Sequence, residues 1–115
     1  MQITFESRDP EAVRLQPVAE RRVRQALRRL SWLAPRARVR MSDVNGPRGG
    51  IDKRCQIELT TDVTGPVIVT SMARDWLSAL HSALARAARA LLHNWQQTRN
   101  MQRLDRTRLA VASVR

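Results

Sequence analysis

A chain of 115 residues with 43% hydrophobic and 27% charged side chains has the length and composition of one globular domain, which excludes a second full domain and a wholly disordered chain. Its 21 Lys and Arg against 10 Asp and Glu give a formal net charge of +11 and point to a polyanionic partner, nucleic acid first and an acidic membrane surface second. Cys55 is the single cysteine, which excludes an internal disulfide and fits a reducing compartment.

The sequence holds no apolar run of about 18 residues and no basic segment followed by an apolar one at Met1-Gln2-Ile3-Thr4-Phe5, so neither a membrane span nor a signal peptide is expected and the expected location is the cytoplasm. Lys53 is the only lysine. A genome rich in G and C would favour Arg over Lys, the bland reading of that choice, but would not explain the excess of positive charge.

Gln2 to Glu6 alternates polar and apolar residues, with Ile3 and Phe5 on one face, and is stopped by Arg8-Asp9-Pro10; a short strand is predicted. From about Val13 to Leu33, apolar residues recur at Leu15, Val18, Ala19, Val23, Ala26, Leu27 and Leu30, the spacing of one helix face. At about 100° per residue, Arg21, Arg24 and Arg28 fall opposite that face, and Arg22 and Arg29 on its flank. Pro17 fits only near the first turn, and Pro35 marks the end.

Arg36 to Asp43 alternates strictly, with Ala37, Val39 and Met41 on one face and Arg38, Arg40 and Ser42 on the other. Asp43 to Cys55 contains Gly46, Gly49 and Gly50 and reads as a long turn between paired strands. Lys53 to Thr60 repeats the alternation, with Cys55, Ile57 and Leu59 inward and Arg54, Gln56 and Glu58 outward. Arg38 and Arg40 then face Glu58 or Gln56 as ordinary cross-strand pairs, in a register the pattern leaves open.

Thr64-Gly65-Pro66 makes a second turn, and Val67 to Met72 a further strand with Val67, Val69 and Ser71 inward. Asp75 is the N-cap of the most strongly periodic helix, whose apolar face is Leu77, Leu80, Leu84, Ala87, Ala88, Leu91 and Trp95; Ser82, Arg86, Arg89 and His93 are expected on the opposite side. Beyond Thr98, residues 99–115 are basic with scattered apolar positions and are expected to form a flexible tail.

The element order βαβββα predicts an α+β, two-layer sandwich: a four-stranded sheet with two helices on its one apolar face, spanning residues 1–98. Both arginine faces then point away from the sheet on the same side, which concentrates the charge.

Enzyme chemistry finds little material. Cys55 alternates with Ile57 and Leu59, the pattern of a buried thiol rather than a nucleophile. His81 and His93 have no Cys, Asp or Glu at ligand spacing, so no metal or other cofactor is called for. Gly46, Gly49 and Gly50 match neither phosphate-loop pattern. With no Tyr, one Phe and three Trp, binding to folded RNA by shape and phosphate is favoured over base stacking, and membrane binding is weaker still because the apolar faces are committed to the core.

The segment Asp43-Val44-Asn45-Gly46-Pro47-Arg48-Gly49-Gly50-Ile51-Asp52-Lys53-Arg54-Cys55-Gln56-Ile57, followed by Asp75-Trp76-Leu77-Ser78-Ala79-Leu80 opening a long helix, resembles the ribosome hibernation-promoting factor family, also called ribosome-associated inhibitor A. The resemblance covers about Met1 to Gln97. It implies a double-stranded-RNA-binding-domain-like βαβββα fold. It also implies a factor seated between head and body of the small ribosomal subunit, where it occupies the channel for messenger and transfer RNA and silences translation in stress or stationary phase.

Position by position, Arg86 and Arg89 match basic residues of the family's last helix, and His93 stands where a lysine is common. In the first helix Arg29 aligns, while Ala26 stands where a lysine is frequent, with Arg24 and Arg28 adjacent. The chain is expected to be of the family's short type, monomeric off the ribosome, without a small-molecule substrate or catalysis. Its ribosomal-RNA contacts are expected at Arg21, Arg24, Arg28, Arg29, Arg86, Arg89 and His93. A general double-stranded-RNA-binding module, or a basic interaction protein regulating transcription, are the alternatives.

Overall fold

The computed structural model describes residues 1–44 and 51–113, with side chains described through residue 106. Four strands, β1 (Gln2–Ser7), β2 (Arg36–Asp43), β3 (Lys53–Thr60) and β4 (Val67–Ala73), form one open sheet in the order β1-β2-β3-β4. β2, β3 and β4 are joined by hairpin connections and run antiparallel. β1 and β2 are parallel, as a helical crossover between neighbouring strands requires. The crossover comprises α1 (Pro10–Arg14), α2 (Gln16–Ala26) and a 3₁₀ turn (Arg28–Leu30); α3 (Trp76–Ser113) follows the sheet.

All helices lie on one face, as expected. That face is built by the predicted alternation: Ala37, Val39 and Met41 of β2 and Cys55, Ile57 and Leu59 of β3 are buried. α3 covers β3 and β4, while α1 and α2 lie against β1. The buried stripe of α3 alternates Ala79, Ala83 and Ala87 with Leu80, Leu84 and Leu91, and the small residues let the helix backbone come close to the sheet. Each fully buried leucine contributes about 2 kcal/mol.

The predicted single helix from Val13 to Leu33 is instead three pieces. Asp9 caps α1, its Oδ1 accepting from the amides of Glu11 at 2.9 Å and Ala12 at 3.3 Å, and Pro10 lies in the first turn. Pro17 cannot donate to residue 13 and crowds the turn before it, so the helix restarts at Gln16 with Pro17 in its first turn. α2 then ends at Ala26, which is exposed rather than part of the buried stripe. Leu27 leaves helical geometry with φ −107° and ψ 13°, and Arg28–Leu30 continues as 3₁₀.

The last helix departs from expectation at its other end. Asp75 caps it as predicted, Oδ1 accepting from the Ser78 amide at 2.8 Å, but α3 runs unbroken to Ser113 where a flexible tail was expected from Arg99. Residues 99–113 contain neither Gly nor Pro and are rich in Arg, Leu and Ala, which is enough to propagate a helix already nucleated against the sheet. Thr98 marks where burial ends, since every side chain from Arg99 through Arg106 is exposed.

The glycine-rich segment lies between β2 and β3, whose final register pair is Asp43 with Lys53. The Val44 amide donates to the Asp52 carbonyl at 3.0 Å. Residues 45–50, with Gly46, Arg48, Gly49 and Gly50, lie outside the described residues. At the base of that segment, Lys53 Nζ lies 2.6 Å from Asp43 Oδ2, 3.7 Å from Asp52 Oδ1, and 5.2 Å from the Trp76 ring centroid. Asp52 and Trp76 are 1% and 2% exposed, so the Asp-Lys step of the segment is fastened to the first residue of α3. The Asp43 carboxylate beside Lys53 raises the lysine's pKa above its ordinary value. Among the described residues no helix is long and apolar enough to cross a membrane.

Candidate nucleic-acid interface

The two faces of the molecule treat their arginines differently. On the open face of the sheet the register places Arg38 opposite Glu58, Arg40 opposite Gln56, and Glu6 of β1 beside Arg40. Arg40 Nε donates to Glu6 Oε2 at 2.9 Å, and Arg38 lies 3.6 Å from Glu6 and 3.9 Å from Glu58. These carboxylates neutralise much of the basic stripe of β2, in the cross-strand pairing that the sequence left open. Arg36 and Arg54 of that face have no carboxylate partner among the described residues.

On the helix layer, Arg21, Arg28, Arg29 and Arg89 are all exposed, and none has a carboxylate within ion-pair distance among the described residues. Arg21 projects from α2 away from its buried Ala19 and Val23. Arg28 and Arg29 are set by the 3₁₀ turn and not by the regular face of α2. Their carbonyls are held by Ser31 Oγ at 3.1 Å and Trp32 Nε1 at 3.1 Å. Arg89 and His93 are exposed on α3.

Two of the expected contacts sit elsewhere. Arg24 Nη1 donates to the Met1 carbonyl at 3.0 Å, at the start of edge strand β1. Arg86 Nη1 donates to the Thr70 carbonyl at 2.6 Å and to Ser71 Oγ at 3.2 Å, on edge strand β4. Ser82 Oγ also reaches Ser71 Oγ, at 3.1 Å. Ser82 and Arg86 therefore occupy the flank of α3 that faces β4, not the side opposite the core as expected. By helical angle Arg86 lies only about 100° from the centre of the buried stripe, whereas Arg89 lies about 160° away. Arg24 and Arg86 thus lie at opposite edges of the sheet, and Arg21, Arg28, Arg29 and Arg89 form the outward set.

Two features of this layer are not among the expected contacts. Trp32 is exposed, meeting Trp95 edge to face with centroids 5.4 Å apart, and the Arg99 guanidinium lies 5.4 Å from the Trp95 centroid. Arg99, Arg103 and Arg106 recur at helical spacing on the part of α3 expected to be a tail. The signal for the second was present in their i, i+4, i+7 spacing; nothing in the sequence marked the first. Cys55 is fully buried, and burial pushes its thiol up to about 12, so it carries no thiolate at neutral pH. Compared with known proteins, the chain matches no family model and no curated protein.

Proposed function

We propose that the protein is a non-enzymatic, cytoplasmic factor that binds ribosomal RNA of the small subunit and inhibits translation by occluding the messenger and transfer RNA channel under stress or in stationary phase. The observation that carries RNA binding is the asymmetry of charge pairing. Carboxylates answer Arg38 and Arg40, two of the four arginines on the sheet face beside Arg36 and Arg54, while among the described residues none answers Arg21, Arg28, Arg29 or Arg89 of the helix layer. Guanidinium groups without carboxylate partners suit phosphate oxygens, which they meet bidentately. Arg24, Arg86 and His93 flank this set. The step from RNA to the ribosome rests on the likeness of residues 43–57 and 75–80 to the hibernation family.

Sedimentation of extracts from starved cells at low salt tests the reading. The protein is expected with the small subunit and with whole ribosomes; its recovery only in ribosome-free fractions contradicts the proposal. Displacement by plain duplex RNA at equal phosphate concentration supports a general duplex-binding module instead. A complex that resists nuclease points to an acidic protein partner.

A further inference from the structure

Among the described residues, Trp32 is the most exposed large hydrophobic side chain, at 64%. The turn after Arg28–Leu30 explains its position. The amides of Leu33 and Ala34 both donate to the Leu30 carbonyl, at 2.9 and 3.2 Å, and both residues fill the core. Trp32 is left on the outside of that tight turn. It is nevertheless fixed: its Nε1 donates to the Arg29 carbonyl at 3.1 Å, and its ring meets Trp95 with the planes at 90°. An indole already held in one orientation loses little entropy when a planar partner settles on it.

Its surroundings select the partner. Arg28 and Arg29 precede it in the same turn, and Arg99 lies over the neighbouring Trp95 ring. A shallow recess beside Trp95 is lined by Val63, Thr98, Arg99, Gln102, Arg103 and Arg106. Apolar peptide groups would find few matching side chains there, whereas a nucleotide offers both a π-face and a phosphate. A base inside a duplex is already stacked on both sides, so the ligand must be an unpaired one.

We propose that Trp32 is a stacking platform for one unpaired base at a bulge or duplex end of a structured RNA, with Arg28, Arg29 and Arg99 taking the flanking phosphates. This rests on the RNA-binding reading above and specifies which part of the RNA is read. It adds base stacking to a mode that composition alone assigns to shape and phosphate.

The test compares the full chain, Trp32→Ala and Trp32→Phe on two labelled RNA hairpins closed by the same non-nucleotide linker and of equal phosphate number, one blunt and one with a single unpaired purine, by fluorescence anisotropy. The wild type is expected to prefer the hairpin with the unpaired purine by about tenfold. Trp32→Ala should abolish that preference, weakening the hairpin with the unpaired purine about tenfold more than the blunt one, while Trp32→Phe should keep most of it. Because Trp76 is buried, quenching of the indole fluorescence on binding, carried out also in Trp95→Phe, reports Trp32 even if Trp32→Ala folds poorly. Equal wild-type affinity for the two hairpins, or equal weakening of both by Trp32→Ala, overturns the stacking platform while RNA binding stands. No binding to either hairpin at low salt overturns both.

Discussion

Arg86 reaches across from α3 to the Thr70 carbonyl at 2.6 Å, and so occupies an acceptor on the unpaired edge of β4. An open edge invites pairing with another chain, and a guanidinium laid on it both satisfies the carbonyl and places a charge there. Arg86 is therefore a structural residue as well as a candidate RNA contact. Arg86→Ala is expected to cost about 1 kcal/mol of folding stability, a typical net hydrogen-bond contribution, and to raise self-association at high concentration. Arg89→Ala is expected to change neither. Urea denaturation and light scattering of the two variants distinguish the roles.

Lys53 is bracketed by Asp43 and Asp52 and lies over Trp76. Replacing it with Met leaves the almost fully buried Asp52 without a counter-charge, while removing both partners relieves that penalty. Lys53→Met should destabilise the fold more than the double variant Asp52→Asn, Lys53→Met. A double-mutant cycle on urea midpoints reads the coupling directly.

The buried Cys55 thiol makes stability depend on alkaline pH. Its ordinary value of 9.0 applies to the unfolded chain, and burial raises it to about 12 in the fold. Between these values the unfolded chain has released a proton that the folded chain keeps, so rising pH favours unfolding. The contribution is whole below pH 9.0 and is lost progressively towards 12. Lys53, also held above its ordinary value of 10.5, loses its contribution as pH rises through its raised value, in the same direction but later. Urea midpoints at about pH 8 and about pH 10 should fall in the wild type and differ less in Cys55→Ala.

Beyond Thr98, α3 carries Arg99, Arg103 and Arg106 on a helix whose side chains are exposed. Removing residues 99–115 should lower helical circular dichroism while leaving the cooperative thermal transition of the sheet core nearly in place. If two of these arginines meet phosphates, the slope of log affinity against log salt falls by about 2. A salt titration of RNA binding by the truncated and full chains measures it.

The sheet was legible because each central strand buries one face: Ala37, Val39 and Met41 alternate with Arg38 and Arg40 with no exception, and Cys55, Ile57 and Leu59 do the same. The Asp75 cap was legible because a carboxylate precedes an uninterrupted apolar period. The site was less so. Helical angle ranks Arg86 and Arg89 correctly about the axis of α3, but it does not say where the sheet edge lies, and that edge captures Arg86. Pro17 warned of a boundary, yet the 3₁₀ turn that sets Arg28 and Arg29 and turns Trp32 outward depends on how Leu33 and Ala34 reach the core. Local periodicity carries no term for that.

Pelleting of labelled protein with purified small ribosomal subunits, over a salt series, tests the central claim most directly. If about six phosphates are engaged, affinity falls about 10³-fold between about 50 and about 200 mM salt. The triple variant Arg21→Glu, Arg28→Glu, Arg89→Glu should keep its thermal transition and lose most binding, while Arg36→Glu on the open sheet face should bind as the wild type does. Binding that is insensitive to salt, or that survives the triple reversal but fails in Arg36→Glu, would place the interface on the wrong face of the sheet.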